Sequence, residues 1–127
     1  MGILTNATPI GIVCVRDRAR AKPFYHDMLG LHLVHEDDFA AVFEVGGMSI
    51  RVSTVPDFIP HEHTVFGFKV PDIEAAVKAL AARGVSFNRY EGFNQDALGI
   101  WAAPGGAVRV AWFKDADGNV LSVTQFG

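Results

Sequence analysis

Two stretches of this sequence open helices in the same way, about half a chain apart. Val15-Arg16-Asp17 precedes one apolar stripe and Val70-Pro71-Asp72 precedes another, so that Asp17 and Asp72 stand 55 residues apart. Gly30-Leu31 and Gly84-Val85 follow the stripes, with the two glycines 54 residues apart. An aspartate at a helix start accepts bonds from the first free N–H groups, and a glycine past the end takes the left-handed stop. A repeat of this length is a supersecondary unit used twice. Each copy carries strand-rich sequence around its helix and must bury one sheet face, and a paired second unit is the economical way to do so.

The periodicities fill in the units. Ile10, Ile12 and Cys14 alternate with Gly11, Val13 and Val15, and apolar character on both faces predicts a strand buried on both sides. Ala19, Phe24, Tyr25 and Met28 share a helical spacing over 18–29, where Pro23 either kinks the helix or begins it. Strands are expected over 31–35, 40–45 and 48–52, with Gly46-Gly47 as the tight turn of a hairpin. The second unit opens with a strand over 64–70. Ile73, Ala76, Val77 and Leu80 then make a helical stripe ending at Arg83-Gly84. Further strands are expected over 85–87, 99–102, 108–113 and 120–124, the last entered through the turn Asp117-Gly118-Asn119. The units span about 8–53 and 63–126, joined by a linker over 54–62, within a single domain of residues 1–127.

Composition narrows the partners. Half of the 127 residues are hydrophobic, a fifth are charged, and the net charge is −3, which excludes disorder for most of the chain. With no basic run to neutralise phosphates, nucleic acid is not an expected partner. No apolar segment is long enough for a membrane helix. The uncharged first 15 residues lack a basic start and a small-residue cleavage site, and they read as a tail leading into a strand. A lone cysteine, Cys14, suits a reducing compartment, so a cytoplasmic location is expected.

Three stretches carry a family resemblance. FYHDMLGL at 24–31, VPDIEAAVKALAARGV at 70–85 and WFKDADGNVLSVTQF at 112–126 follow one another in the order seen in the vicinal oxygen chelate superfamily. That superfamily holds glyoxalase I, bleomycin resistance proteins and extradiol dioxygenases, and the resemblance covers residues 8–126. It implies an α+β fold, with tandem β-α-β-β-β units forming curved mixed sheets around a ligand cavity and helices outside. Metal-dependent members take one ligand from each unit-opening strand and each unit-closing strand. The resemblance carries these positions to Ile10, Arg51, Val65 and Ser122. Isoleucine and valine have no donor atom, arginine repels a cation, and a neutral serine alone binds one poorly. No metal and no other cofactor is therefore expected.

The candidate ligand-binding residues are Arg51, Trp101, Ser122, Thr124, His63 and Phe93. Strand alternation turns Arg51 away from Ile50 and Val52, toward the cavity face. There it anchors a carboxylate, a phosphate or a polarised carbonyl, or else it pairs with an acid such as Glu44 or lies exposed at the mouth. Trp101 and Phe93 lie in Gly-, Asn- and Pro-rich surroundings and suit stacking on a flat ligand; an exposed surface aromatic is the other reading for Phe93. Trp112 reads equally well as core. His61-Glu62-His63 lacks zincin spacing and reads mainly as a solvated linker, although His63 shares strand parity with Val65. Asp115-Ala116-Asp117-Gly118 reads as turn chemistry, since no bidentate Glu completes a calcium loop.

Two functions are in play. The first is a metal-independent small-molecule-binding protein resembling the bleomycin resistance proteins, its ligand anionic or aromatic. The alternative is a glyoxalase-like lyase, or another enzyme acting on a small carbonyl or aromatic substrate, without the family metal or with one held at His63. No nucleophile with a neighbouring base identifies a catalytic residue. A homodimer is expected, from the family resemblance, a mean hydropathy of +0.21 and ten phenylalanines.

Overall fold

Asp17 and Asp72 cap helices as their positions imply. In the computed structural model, which describes residues 2–127, the Asp17 carboxylate accepts from the Ala19 amide at 3.0 Å and opens α1 (Arg18–Pro23). Asp72 accepts from the Ala75 amide at 3.1 Å and opens α2 (Ile73–Ala82). Pro23 lies inside the helical stretch rather than at its start. Proline has no N–H and its ring crowds the carbonyl one turn back, so α1 passes into a π-helical turn, Phe24–Met28. The Leu29 amide closes that turn on the Phe24 carbonyl, five residues back, at 3.0 Å.

The chain divides into two compact units, one ending at Phe58 and the other spanning Ile59–Gly127. The first holds β1 (Ile10–Val15), β2 (His32–Glu36), β3 (Ala40–Val45) and β4 (Met48–Thr54), in the order β1-β4-β3-β2 with β1 parallel to β4. The second holds β5 (Thr64–Lys69), β6 (Trp101–Ala102), β7 (Val108–Lys114) and β8 (Val120–Phe126), in the order β5-β8-β7-β6 with β5 parallel to β8. Each sheet is mixed and open, and both units share one topology, so the fold is α+β. No helix among the described residues is long and apolar enough to cross a membrane.

Each helix covers one face of its own sheet. In the first unit Val13, Val15, Ala41, Phe43, Ile50 and Val52 are buried with Ala21, Phe24 and Tyr25, and the Tyr25 and Phe43 rings meet at 5.8 Å. In the second, Ile73 and Val77 of α2 are buried with Ala111, Phe113, Leu121 and Val123. Fully burying an aliphatic or Phe side chain contributes about 1.5–3 kcal/mol. These faces therefore dominate the stability of each unit.

Three strand expectations change. β1 is not buried on both sides: Val13 and Val15 face the helix, while Ile10 and Ile12 are 53% and 59% exposed on the opposite face. Residues 85–87 do not form a strand. Phe87 makes a single bridge to Phe113, and the backbone then leaves the sheet because the following loop satisfies its polar groups with side chains. The strand expected over 99–102 shrinks to Trp101–Ala102. Gly99 turns at φ +93°, and the Gly99 carbonyl and Ile100 amide bond to Gln95 and Asp96 instead of a ladder. The final turn is built as read: one Asp115 oxygen accepts from the Asp117 and Asn119 amides, and the other accepts from Asn119 Nδ2, all at 2.9 Å.

Candidate functional site

Strand alternation gives each sheet a second face, turned away from its helix. On the second unit that face is aromatic. Trp101 pairs with Val110 and Trp112 with Ser122, which places both indoles on the side opposite Phe113 and Leu121. The loop 88–100 brings Tyr90 and Phe93 over them. Centroid separations are 6.1 Å for Trp101–Trp112, 5.9 Å for Phe93–Trp101, 5.7 Å for Phe93–Trp112 and 5.4 Å for Tyr90–Trp112. These are favoured aromatic spacings. The cluster is not sealed: both indoles are half-buried and Phe93 is 48% exposed.

Side chains, not a ladder, hold this loop. Gln95 Oε1 accepts from the Tyr90 amide at 2.8 Å, and its Nε2 donates to the carbonyls of Asn88 at 2.9 Å and Gly99 at 2.8 Å. Arg89 donates to the carbonyls of Asp96 and Ala97. The Asp96 carboxylate accepts from the Leu98 and Ile100 amides. Asn88 Nδ2 donates to the Tyr90 hydroxyl at 3.0 Å.

Beside the rings lie two hydroxyls. Ser122 pairs with Trp112 on one side and Gly67 on the other; Thr124 pairs with Val110 and Lys69. A Cβ built on Gly67 would lie 2.7 Å from Ser122 Oγ, so the missing side chain leaves room for that hydroxyl. Neither side chain makes a hydrogen bond among the described residues; Thr124 is half-buried and open to a ligand, while Ser122 is 7% exposed and lies at the floor of the face.

Trp101, Phe93, Ser122 and Thr124 thus share one face of the second unit. His63 does not join them through any contact: it is exposed and stacks on His61 at 5.3 Å. Tyr90, Gln95 and Lys69 were not singled out by the sequence. The signal for Tyr90 was its spacing of three from Phe93 in a Gly- and Asn-rich stretch. No local signal marks a glutamine that bonds to its own loop.

On the first unit, Arg51 lies between Ile12 and Val42 on the face away from α1. It is half-buried and makes no hydrogen bond or ion pair among the described residues, Glu44 included. Its charge reaches the β2–β3 turn. Hydrogen bonds from the Phe39 and Ala40 amides, with smaller help from the Arg51 and His35 charges, hold the Asp37 carboxyl below its ordinary value of 3.8. A depressed carboxylate stabilises its turn above the unfolded pKa, and that contribution is lost as pH falls through the folded one. The Phe39 and Ala40 amide shifts are expected to titrate together, with a midpoint below the ordinary aspartate value. An NMR titration with its midpoint at or above that value would contradict the assignment.

The four positions to which the sequence resemblance carries metal ligands do not suit a cation. Ile10 and Val65 present hydrocarbon, Arg51 a fixed positive charge, and Ser122 a single neutral hydroxyl. Among the described residues no three His, Cys, Asp or Glu side chains are grouped to hold an ion. The residues present do not fit that metal.

No curated protein matches the chain. Solved structures match its fold over nearly full length. A protein ascribed to the glyoxalase family from Bacillus anthracis aligns with a TM-score of 0.76 at 15% identity, covering 100% of both chains. A glyoxalase/bleomycin resistance protein/dioxygenase superfamily member from Sphaerobacter thermophilus aligns at 0.74 and 21% identity, over 97% of this chain and 99% of that one. TnmS3, an antibiotic-binding protein from Streptomyces sp. CB03234, aligns at 0.70 and 20% identity, over 99% and 100%. The family model of the glyoxalase/bleomycin resistance protein/dioxygenase superfamily matches residues 7–123. With that match across nearly all of its length, the chain belongs to the glyoxalase/bleomycin resistance protein/dioxygenase superfamily.

Proposed function

We propose that this protein binds a small planar molecule without a metal. The observation that carries the reading is the cluster of Tyr90, Phe93, Trp101 and Trp112, partly open and bordered by the unengaged hydroxyls of Ser122 and Thr124. Partly exposed aromatics with a few polar groups beside them are what a flat ligand needs for stacking and orientation. The antibiotic-binding neighbour of like fold supports the same class of role. Among the described residues no base is hydrogen-bonded to Ser122, which favours binding over covalent catalysis. Arg51, on the face of the first unit, is proposed as an anchor for a carboxylate or a polarised carbonyl. A cytoplasmic setting and a homodimer complete the reading. Ile10 and Ile12 are apolar surface that a second copy would cover.

Protein purified without an affinity tag is expected to carry no stoichiometric Zn, Ni, Mn or Fe by elemental analysis. The same preparation is expected to show twice the chain mass by light scattering. About one tightly bound metal per chain would overturn the metal-free reading. A monomer at micromolar concentration would overturn the dimer.

A further inference from the structure

We infer that the ligand face of the second unit has its own anion-recognition group, Lys69, and that it takes planar aromatic anions whose charge lies beyond the edge of the stacked ring. The inference rests on the binding role proposed above and names the ligand class for that face.

The sheet register carries the argument. One cross-strand row on this face runs Trp101, Val110, Thr124, Lys69, from β6 to β5. The next runs Trp112, Ser122, Gly67. Aromatic rings therefore stand at one end of both rows and the ammonium at the other end of one. Neighbouring strands lie about 4.8 Å apart, so β5 is roughly 10 Å from the β7 backbone that carries Trp112. That span suits a two-ring ligand with a terminal charge. Gly67 has no side chain and the Ser122 hydroxyl takes the space a Cβ would need, so nothing larger than a serine stands in that row between Trp112 and β5.

Lys69 is exposed and makes no ion pair among the described residues. Its Nζ rests 5.8 Å from the centroid of the Phe126 ring, itself 58% exposed on the same face. A cation over an aromatic face at an exposed site is held only weakly. The ammonium can leave that perch for a carboxylate lying over Ser122 and Gly67, where the half-buried Thr124 hydroxyl adds a donor. A cation at one end, a donor along the floor and rings at the other end complement a flat aromatic carboxylate.

The test compares 2-naphthoate with its neutral isostere 2-naphthamide by calorimetry on the full chain at low ionic strength. An exposed charge pair contributes up to about 1 kcal/mol, or roughly fivefold in affinity. Wild type is expected to prefer the carboxylate. Lys69→Met should lower that preference by about fivefold and leave the amide's affinity unchanged, and Lys69→Arg should retain it. The same loss is expected in an Arg51→Met background, which separates the two cations. A preference that survives Lys69→Met in both backgrounds overturns the inference while the binding role stands. If neither compound binds, the inference falls together with the binding role.

Discussion

Gln95→Glu is expected to detach the aromatic loop of the second unit. The substitution keeps shape and length and changes only what the outer atoms donate. Gln95 Nε2 donates to the carbonyls of Asn88 and Gly99 at 2.9 and 2.8 Å, and a carboxylate puts an acceptor oxygen where that donor stood. Each part-buried carbonyl then lacks its donor, at about 1–3 kcal/mol apiece. Opening of residues 88–100 limits the loss by admitting water, so about 3 kcal/mol is expected. Tyr90 and Phe93 would then leave Trp112, and a planar ligand should bind at least tenfold more weakly. Acidification that protonates the new carboxyl restores one donor and should recover part of both losses. Gln95→Ala should resemble Gln95→Glu at neutral pH without the acid recovery. Thermal unfolding and near-UV circular dichroism read the outcome. A Gln95→Glu protein that matches wild type in both would show that the ring contacts and the Arg89 and Asp96 bonds hold the loop without Gln95.

Asp115→Ala is expected to cost the fold still more. The Asp115 carboxylate satisfies two buried amides and the Asn119 side chain, and Asn119 is 1% exposed. Alanine removes the acceptor of three hydrogen bonds where water has little access, which costs about 3–5 kcal/mol. This is a large share of the roughly 5–15 kcal/mol that holds a domain of this kind. The turn also joins the two central strands of its sheet, so local opening offers little relief. Asp115→Asn should fall between, because its amide oxygen still accepts while its NH2 group meets another amide. Denaturant unfolding gives the free energies. A loss under about 1 kcal/mol for Asp115→Ala would show that the turn's own backbone bonds suffice.

The legible parts of this fold are those decided by neighbours in sequence. Asp17 and Asp72 reach amides two and three residues on, and Gly30 and Gly84 take φ of +75° and +98° at the helix ends. Both choices depend on single local positions, so the repeat was visible before any packing. The Gly46-Gly47 turn and the Asp115 turn were legible for the same reason. The loop 88–100 was not. Its bonds run from Gln95, Arg89 and Asp96 side chains to backbone groups, and no periodicity records them. An alternating apolar pattern also cannot say which face is covered, and so β1 was expected to be buried on both sides.

The candidate site divides along similar lines. Parity alone put Ser122 and Thr124 on one face, and loop composition pointed to Phe93 and Trp101. Trp112 had the right parity but read as core, because hydrophobic strand residues carry no mark of exposure. Lys69 reads in sequence as an ordinary edge-strand lysine. Only the register across β5, β8, β7 and β6 aligns it with Thr124 and Trp101.

The central claim is that the aromatic face binds a planar molecule without a metal. The most direct measurement is a calorimetric titration of the chain with 2-naphthoate, before and after exhaustive chelation. The account predicts saturable binding that chelation leaves unchanged and that Trp101→Ala weakens by about tenfold, the lower part of the range for one stacked ring. Binding that vanishes on chelation and returns with added Zn or Ni, or binding indifferent to Trp101, would contradict it.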